Sequence, residues 1–183
     1  MRIIGGQHKG RRLQAPKGKN VRPTSAAIRE AVFNVLSQWD PSPIHNGLVL
    51  DLFAGTGALG LEALSRGARQ AIFVESHPEA AATIRSNINL LGEESRTRLI
   101  TQDVLSLPTS NQSADLVFLD PPYGLNLMKK AVRAARNSRW VTANSLLVME
   151  MAATDKIIEA EEFCVLWVRI YGQTQVIISK LAL

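Results

Sequence analysis

One cysteine, Cys164, stands in a chain of 183 residues. A lone thiol excludes an intramolecular disulfide framework and a multi-cysteine metal cluster. No window approaches the ~18 unbroken apolar residues of a membrane span. The opening Met1-Arg2-Ile3-Ile4-Gly5-Gly6 lacks the apolar stretch of a secretory signal. A reducing, cytoplasmic setting without membrane contact is therefore expected. A Gly-x-Ser-x-Gly elbow and a phosphate-binding Gly-Lys-Ser/Thr are also missing. His8, His45 and His77 are scattered without metal-ligand spacing, so no metal site is expected. Cys164 falls in an apolar run and is expected to be buried and inert. The rest is ordinary: 46% apolar and 20% charged residues fit one globular domain with at most a small appendage.

Acid is absent from the first 29 residues. They hold eight cations, Arg2, Lys9, Arg11, Arg12, Lys17, Lys19, Arg22 and Arg29, before the first acid at Glu30. The other 154 residues carry 13 cations against 16 acids, so the net charge of +5 has its excess at the N-terminus. Such a segment attracts polyanions, with counterion release and salt-sensitive affinity. Arg2-Ile3-Ile4 and Arg11-Arg12-Leu13 flank a Gly/Lys turn and read as a short hairpin, not a formless tail. The expected division is a basic arm over 1–23 and a larger domain over 24–183.

Arg22-Pro23-Thr24-Ser25 reads as a stop and helix cap. Ile28, Val32, Val35, Leu36 and Trp39 then recur at helical spacing. From Leu48 the pattern alternates between continuous apolar strands and helices. Strands are expected at 48–52, 71–75, 98–101, 116–120 and 145–150, with helices after the first, second and fourth. That alternation means an α/β fold whose parallel sheet is covered on both faces. Cys164–Ile170 and Thr174–Lys180 are separated by three residues only, too few for a parallel crossover, so they form an antiparallel hairpin.

Gly55-Thr56-Gly57-Ala58-Leu59-Gly60 follows the first strand and opens a helix. In this pattern the first glycine permits the turn, the second lets a ligand approach, and the third lets helix and strand pack. Glu75 ends the next strand, where a carboxylate accepts from both ribose hydroxyls of an adenosine. A nicotinamide dinucleotide fits the glycines equally, and with it an oxidoreductase. Asp51 argues against it: an anion is unfavourable beside a pyrophosphate and favourable beside a sulfonium and an ammonium. S-adenosylmethionine carries both cations. Asp103, ending the third strand, is placed either to accept from an adenine amino group or to cap the following turn.

Asp120-Pro121-Pro122-Tyr123 follows the fourth strand. Strands one and four flank the point where strand order reverses, so this loop and the glycine turn face one crevice. A ring amine is a poor nucleophile because its lone pair is delocalised. Hydrogen bonds from its N–H groups to the Asp120 carboxylate and the Pro121 carbonyl favour a pyramidal nitrogen, and two prolines fix that acceptor in advance. Tyr123 offers a flat face to an unstacked base.

These residues resemble the RsmD family of bacterial small-subunit ribosomal RNA methyltransferases. The resemblance rests on Asp51–Gly60 with Glu62–Ala68, on Arg2–Gly6 with Lys9–Leu13, on Arg22–Thr24 with Arg29–Leu36, and on Asp120–Tyr123. It covers residues 1 to about 125 well and the remainder in layout only. It implies a Rossmann-like methyltransferase fold with a seven-stranded sheet, S-adenosylmethionine as donor, and transfer to the 2-amino group of a guanine. The 30S particle is the implied partner. A monomer is expected. Asp51 and Gly55–Gly57 would line the methionine side, Glu75 the ribose and Asp103 the adenine, with Phe53, Ala54, Thr56, Gly60, Ser76 and Val104 completing that set. Asp120, Pro121, Pro122 and Tyr123 would hold the base. Arg2, Lys9, Arg11, Arg12, Lys17, Lys19, Arg22 and Thr24 would contact RNA. The same loop serves an adenine 6-amino methyltransferase on DNA, and a non-catalytic RNA-binding assembly factor is the alternative from another class.

Overall fold

The computed structural model describes residues 1–15, 26–122, 124–155 and 162–182. The elements are α1 (Ala26–Ser37), β1 (Leu48–Leu52), α2 (Ala58–Ser65), β2 (Gln70–Val74), α3 (Pro78–Leu91), β3 (Thr97–Ile100), β4 (Leu116–Leu119), α4 (Gly124–Asn137), β5 (Leu146–Ala152), β6 (Phe163–Tyr171) and β7 (Thr174–Leu181). The strands make one sheet in the order β3-β2-β1-β4-β5-β7-β6. The first five run parallel; β7 pairs antiparallel with both β5 and β6.

Side chains alternate across a strand, so each strand feeds two cores. Val49, Phe73, Leu116, Phe118, Val176 and Ile178 face the layer of α1, α2 and α3. Leu50, Leu52, Val117, Leu119 and Ile177 face the layer holding α4, whose Met128, Ala131, Val132 and Ala135 are buried. Burial on both faces makes these strands unbroken apolar runs. The hairpin folds back so that its second strand lies inside the sheet. Accordingly β7 is buried almost throughout and β6 is the edge. Cys164 is exposed on that edge, which corrects the expectation of a buried thiol. An apolar run in an edge strand has one solvated side.

The N-terminal hairpin is narrow and built into the domain. Arg2 and Arg12 form an antiparallel bridge. The Ile3 amide donates to the Arg11 carbonyl at 3.0 Å, and the Gly10 amide to the Ile3 carbonyl at 2.9 Å. Ile3 and Leu13 are buried in the same core as α1 and α2. Glu62 on α2, wholly buried, accepts from the Ile4 and Gly5 amides at 2.8 Å each and from Arg66 Nε at 2.8 Å. Buried Arg29 donates to the Arg2 carbonyl at 2.6 Å. Burial depresses the basicity of its guanidinium, and the Glu62 charge opposes that. At the turn, His8 Nε2 lies 2.5 Å from Glu93, which Arg96 also holds. Burial pushes the Glu93 carboxyl up, but hydrogen bonds from Arg96 and His8 outweigh it and keep the group below the usual carboxylate range. A buried charge stripped of partners costs ~3–5 kcal/mol. Removing the hairpin would take two amide donors from Glu62 and leave it Arg66 and Arg29, so truncation tests folding before it tests any contact with RNA.

Candidate active site

The crevice forms where β1 and β4 lie side by side and the chain leaves them in opposite directions. At the end of β1, Phe53 takes a left-handed backbone (φ 61), and the Ala54 amide donates to the Val74 carbonyl at 3.1 Å. An aromatic residue at positive φ is strained and is held only by its surroundings. The three glycines of the turn differ in what surrounds them. A Cβ on Gly60 would lie 2.4 Å from the Phe73 ring, so its role in helix–strand packing stands. A Cβ on Gly57 would meet Phe73 and Ile84 at 3.3–3.5 Å, which places it against the core. At Gly55 the nearest such atom is 3.9 Å away, so that position of the turn is open.

Three carboxylates surround this turn at the ends of β1, β2 and β4. Asp51 is 2% exposed and accepts the Gly60 amide at 2.9 Å. Burial pushes its carboxyl up to about 8; the Gly60 hydrogen bond opposes this, and the charges of Asp120 and Glu75 add to it. Glu75 accepts the Gly55 amide on one oxygen and the His77 amide on the other, both at 2.8 Å. Each carboxylate oxygen keeps one further lone pair. Asp120, half-buried, follows the last residue of β4.

A cavity of about 230 Å³ opens beside them, lined by Phe53, Val74, Glu75, Ser76, Asp103, Val104, Pro122 and Leu127. Ligand pockets commonly measure ~300–1,000 Å³, so this one suits a nucleoside better than a whole dinucleotide. Asp103 accepts the Leu105 amide at 2.8 Å and caps the short turn Val104–Ser106 while also lining the cavity. Ala54 and Thr56 are buried beneath the turn.

The crevice thus brings together Asp51, Phe53, Gly55, Glu75, Ser76, Asp103, Val104, Asp120 and Pro122. Pro121 is half-buried beside them. Tyr123, Lys17, Lys19, Arg22 and Thr24 lie outside the described residues. Arg2, Lys9, Arg11 and Arg12 are exposed on the hairpin. The sequence reading missed Asn87. Wholly buried on α3, its amide accepts from the Gln14 amide at 2.7 Å and donates to the carbonyls of Gln14 (3.1 Å) and Thr56 (3.0 Å). One side chain thereby ties the hairpin's exit to the glycine turn. Its signal was an amide on the apolar stripe Ala80, Ile84, Ile88 and Leu91. Among the described residues no His, Cys, Asp or Glu group could hold a metal ion.

Residues 1–180 match the family described as "Conserved hypothetical protein 95". Ribosomal RNA small subunit methyltransferase D of Buchnera aphidicola is 34% identical over 94% of this chain and 89% of its own. The Escherichia coli K12 protein of that name is 34% identical over 82% of this chain and 74% of its own. The solved structure of E. coli yhhF shares 30% identity, covers all of this chain and 98% of its own, and superposes with a TM-score of 0.84. An RNA methyltransferase of Salinibacter ruber solved with S-adenosyl-L-homocysteine, 13% identical with a TM-score of 0.65, shares the fold. The sheet order, the glycine turn and these likenesses together make the chain a member of the RsmD methyltransferase family.

Proposed function

We propose that the chain transfers a methyl group from S-adenosylmethionine to the 2-amino group of a guanine in small-subunit ribosomal RNA. Its setting is the cytoplasm, its substrate the RNA within a 30S particle, and its working form a monomer. One observation carries the reading: a buried carboxyl, Asp51, has no cationic partner among the described residues, in the same crevice that holds Asp120. A ligand bearing a sulfonium and an ammonium meets that need, whereas a pyrophosphate aggravates it.

When bound, S-adenosylmethionine supplies an electrophilic methyl carbon. Glu75 would hold the ribose with the lone pairs left after its two backbone hydrogen bonds. The walls at Phe53, Val104, Pro122 and Leu127 exclude water from the adenine. Asp103 would accept from the adenine amine. Asp120 and the Pro121 carbonyl would accept from the two N–H groups of the guanine amine, leaving its lone pair free to attack. Transfer would leave S-adenosylhomocysteine and a methylated amine, and Asp120 would take the proton that the amine gives up. The exposed hairpin cations would neutralise RNA phosphates.

Labelled cofactor offered to 30S particles from cells lacking this protein should place label on a guanine 2-amino group. Label on duplex DNA adenine, or no label in either, overturns the reading. Glu75→Ala should weaken S-adenosylhomocysteine binding at least 10-fold by calorimetry, since both ribose hydroxyls lose a charged acceptor worth ~1.5–3 kcal/mol. A wild-type dissociation constant would remove Glu75 from the ribose.

A further inference from the structure

Between Asp120 and Glu150 the chain carries five cations, Lys129, Lys130, Arg133, Arg136 and Arg139, and no acid. With this stretch and the first 29 residues set aside, eight cations face all sixteen acids. The molecule is an acidic body with two basic segments, and the second is α4 with its exit. Met128, Ala131, Val132 and Ala135 turn α4 toward the sheet, while Lys130, Arg133, Arg136 and Arg139 are exposed.

Among the described residues the fold answers only part of this charge. Like charges three and four residues apart on a helix repel. The first turn of α4 has no acid to answer the helix dipole. Arg136, in the last turn, suits the dipole, but Lys130 does not benefit from it. Arg133 pairs with Glu162. Among the described residues no ion pair reaches Lys130, Arg136 or Arg139.

Arg139 is the sharper case. The Trp140 amide donates to the Ala135 carbonyl at 2.8 Å and the Arg139 amide to the Arg136 carbonyl at 3.0 Å, which is the Schellman arrangement. Its left-handed position (φ 63) is normally glycine, because a Cβ is strained there. An arginine is kept where glycine would end the helix better. Strained positions of this kind cluster at functional sites.

We infer that Lys130, Arg136 and Arg139 form a second phosphate-binding track, taking the sugar–phosphate backbone of the RNA strand that leads away from the target base. This rests on the proposed function. The helix starts four residues after Asp120 and runs back along the sheet until the Trp140 carbonyl accepts the Ala114 amide at 2.8 Å, before β4 begins, so the track leads from the loop that would hold the base toward the opposite end of the strands. At ~1.5 Å per residue, Lys130 and Arg136 stand about 9 Å apart along the axis, with Arg139 just past the helix end, the reach of a few nucleotides.

The test uses the full chain with K130Q, R136Q and R139Q combined, and R139G alone. Binding to small-subunit ribosomal RNA is followed as salt is raised. The triple variant should bind at least 10-fold more weakly at low salt, with a log–log slope shallower by about 2, since each lost phosphate contact removes ~0.7–0.9. S-adenosylhomocysteine affinity should stay within twofold. R139G should raise the melting temperature and weaken RNA binding together, a pairing that a merely solvated face does not produce. An unchanged slope in the triple variant overturns the track. If wild-type protein still labels ribosomal RNA in that case, the proposed function stands without it. A wild-type protein that neither binds nor labels RNA ends both.

Discussion

Asp120→Ala should reduce methyl transfer about 10²–10³-fold or more while leaving S-adenosylhomocysteine affinity within a few-fold. The magnitude is that of removing one preorganised hydrogen-bond partner from a reacting centre. The selectivity follows from position. Asp120 leaves β4 beside Asp51 and Glu75, but the cavity that would take the adenosine is lined by Phe53, Val74, Glu75, Ser76, Asp103, Val104, Pro122 and Leu127. Loss of Asp120 removes an anion that now pushes the Asp51 carboxyl up, so cofactor binding gains no new penalty. Asp120→Asn keeps one acceptor for the amine and should retain intermediate activity. Single-turnover transfer of labelled methyl groups, with cofactor affinity measured in parallel, separates the two effects. Equal loss of binding and turnover would make Asp120 part of the cofactor site. Unimpaired turnover would remove it from the chemistry altogether.

Much of this site was legible because each acid ends a strand that the sequence marks clearly. β1, β2 and β4 are buried on both faces, so Leu48–Leu52, Ala71–Val74 and Leu116–Leu119 read as strands without ambiguity. Parallel strands connected by helices put their carboxyl ends on one side, and the acids came together with them. Strand order was less legible. The return of β7 between β5 and β6 depends on pairing partners, and local pattern carries no partner. Its only trace is that Val176-Ile177-Ile178 is continuously apolar while Arg169 interrupts β6. The error at Cys164 has the same origin. The structural roles of Glu62, Arg29 and Asn87 were hidden for another reason. Polar groups on apolar stripes look like noise until the hairpin that satisfies them is in place. The strain at Phe53 and Arg139 leaves no mark in composition at all, since any residue can be written at a position where the backbone turns left-handed.

Asp51→Asn should make the ligand-free protein more stable and the enzyme worse. The Asp51 carboxyl is pushed up to about 8 by burial, with Asp120 and Glu75 adding to it. In the unfolded chain the same group titrates near ~3.9. The raised value fixes the sign: Asp51 favours folding below about pH 4, and that stability drains away as pH rises through about 8. Asparagine keeps an oxygen for the Gly60 amide and carries no charge to bury. The variant should therefore melt above wild type by several degrees at pH 8, with the gap closing toward pH 4. Cofactor binding should move the other way. A cation beside Asp51 favours its carboxylate, so at neutral pH binding to wild type should release up to one proton and tighten as pH climbs toward 8. Asp51→Asn should lose that proton release and bind S-adenosylmethionine about 10–100-fold more weakly, the value of a charge-assisted contact of ~1.5–3 kcal/mol. Calorimetry in two buffers of different ionisation enthalpy counts the proton, and melting curves from pH 4 to 9 give the stability. A variant that melts below wild type at pH 8 would show that Asp51 is already ionised and partnered in the free protein. Unchanged affinity would show that no cation of the donor comes to rest beside it.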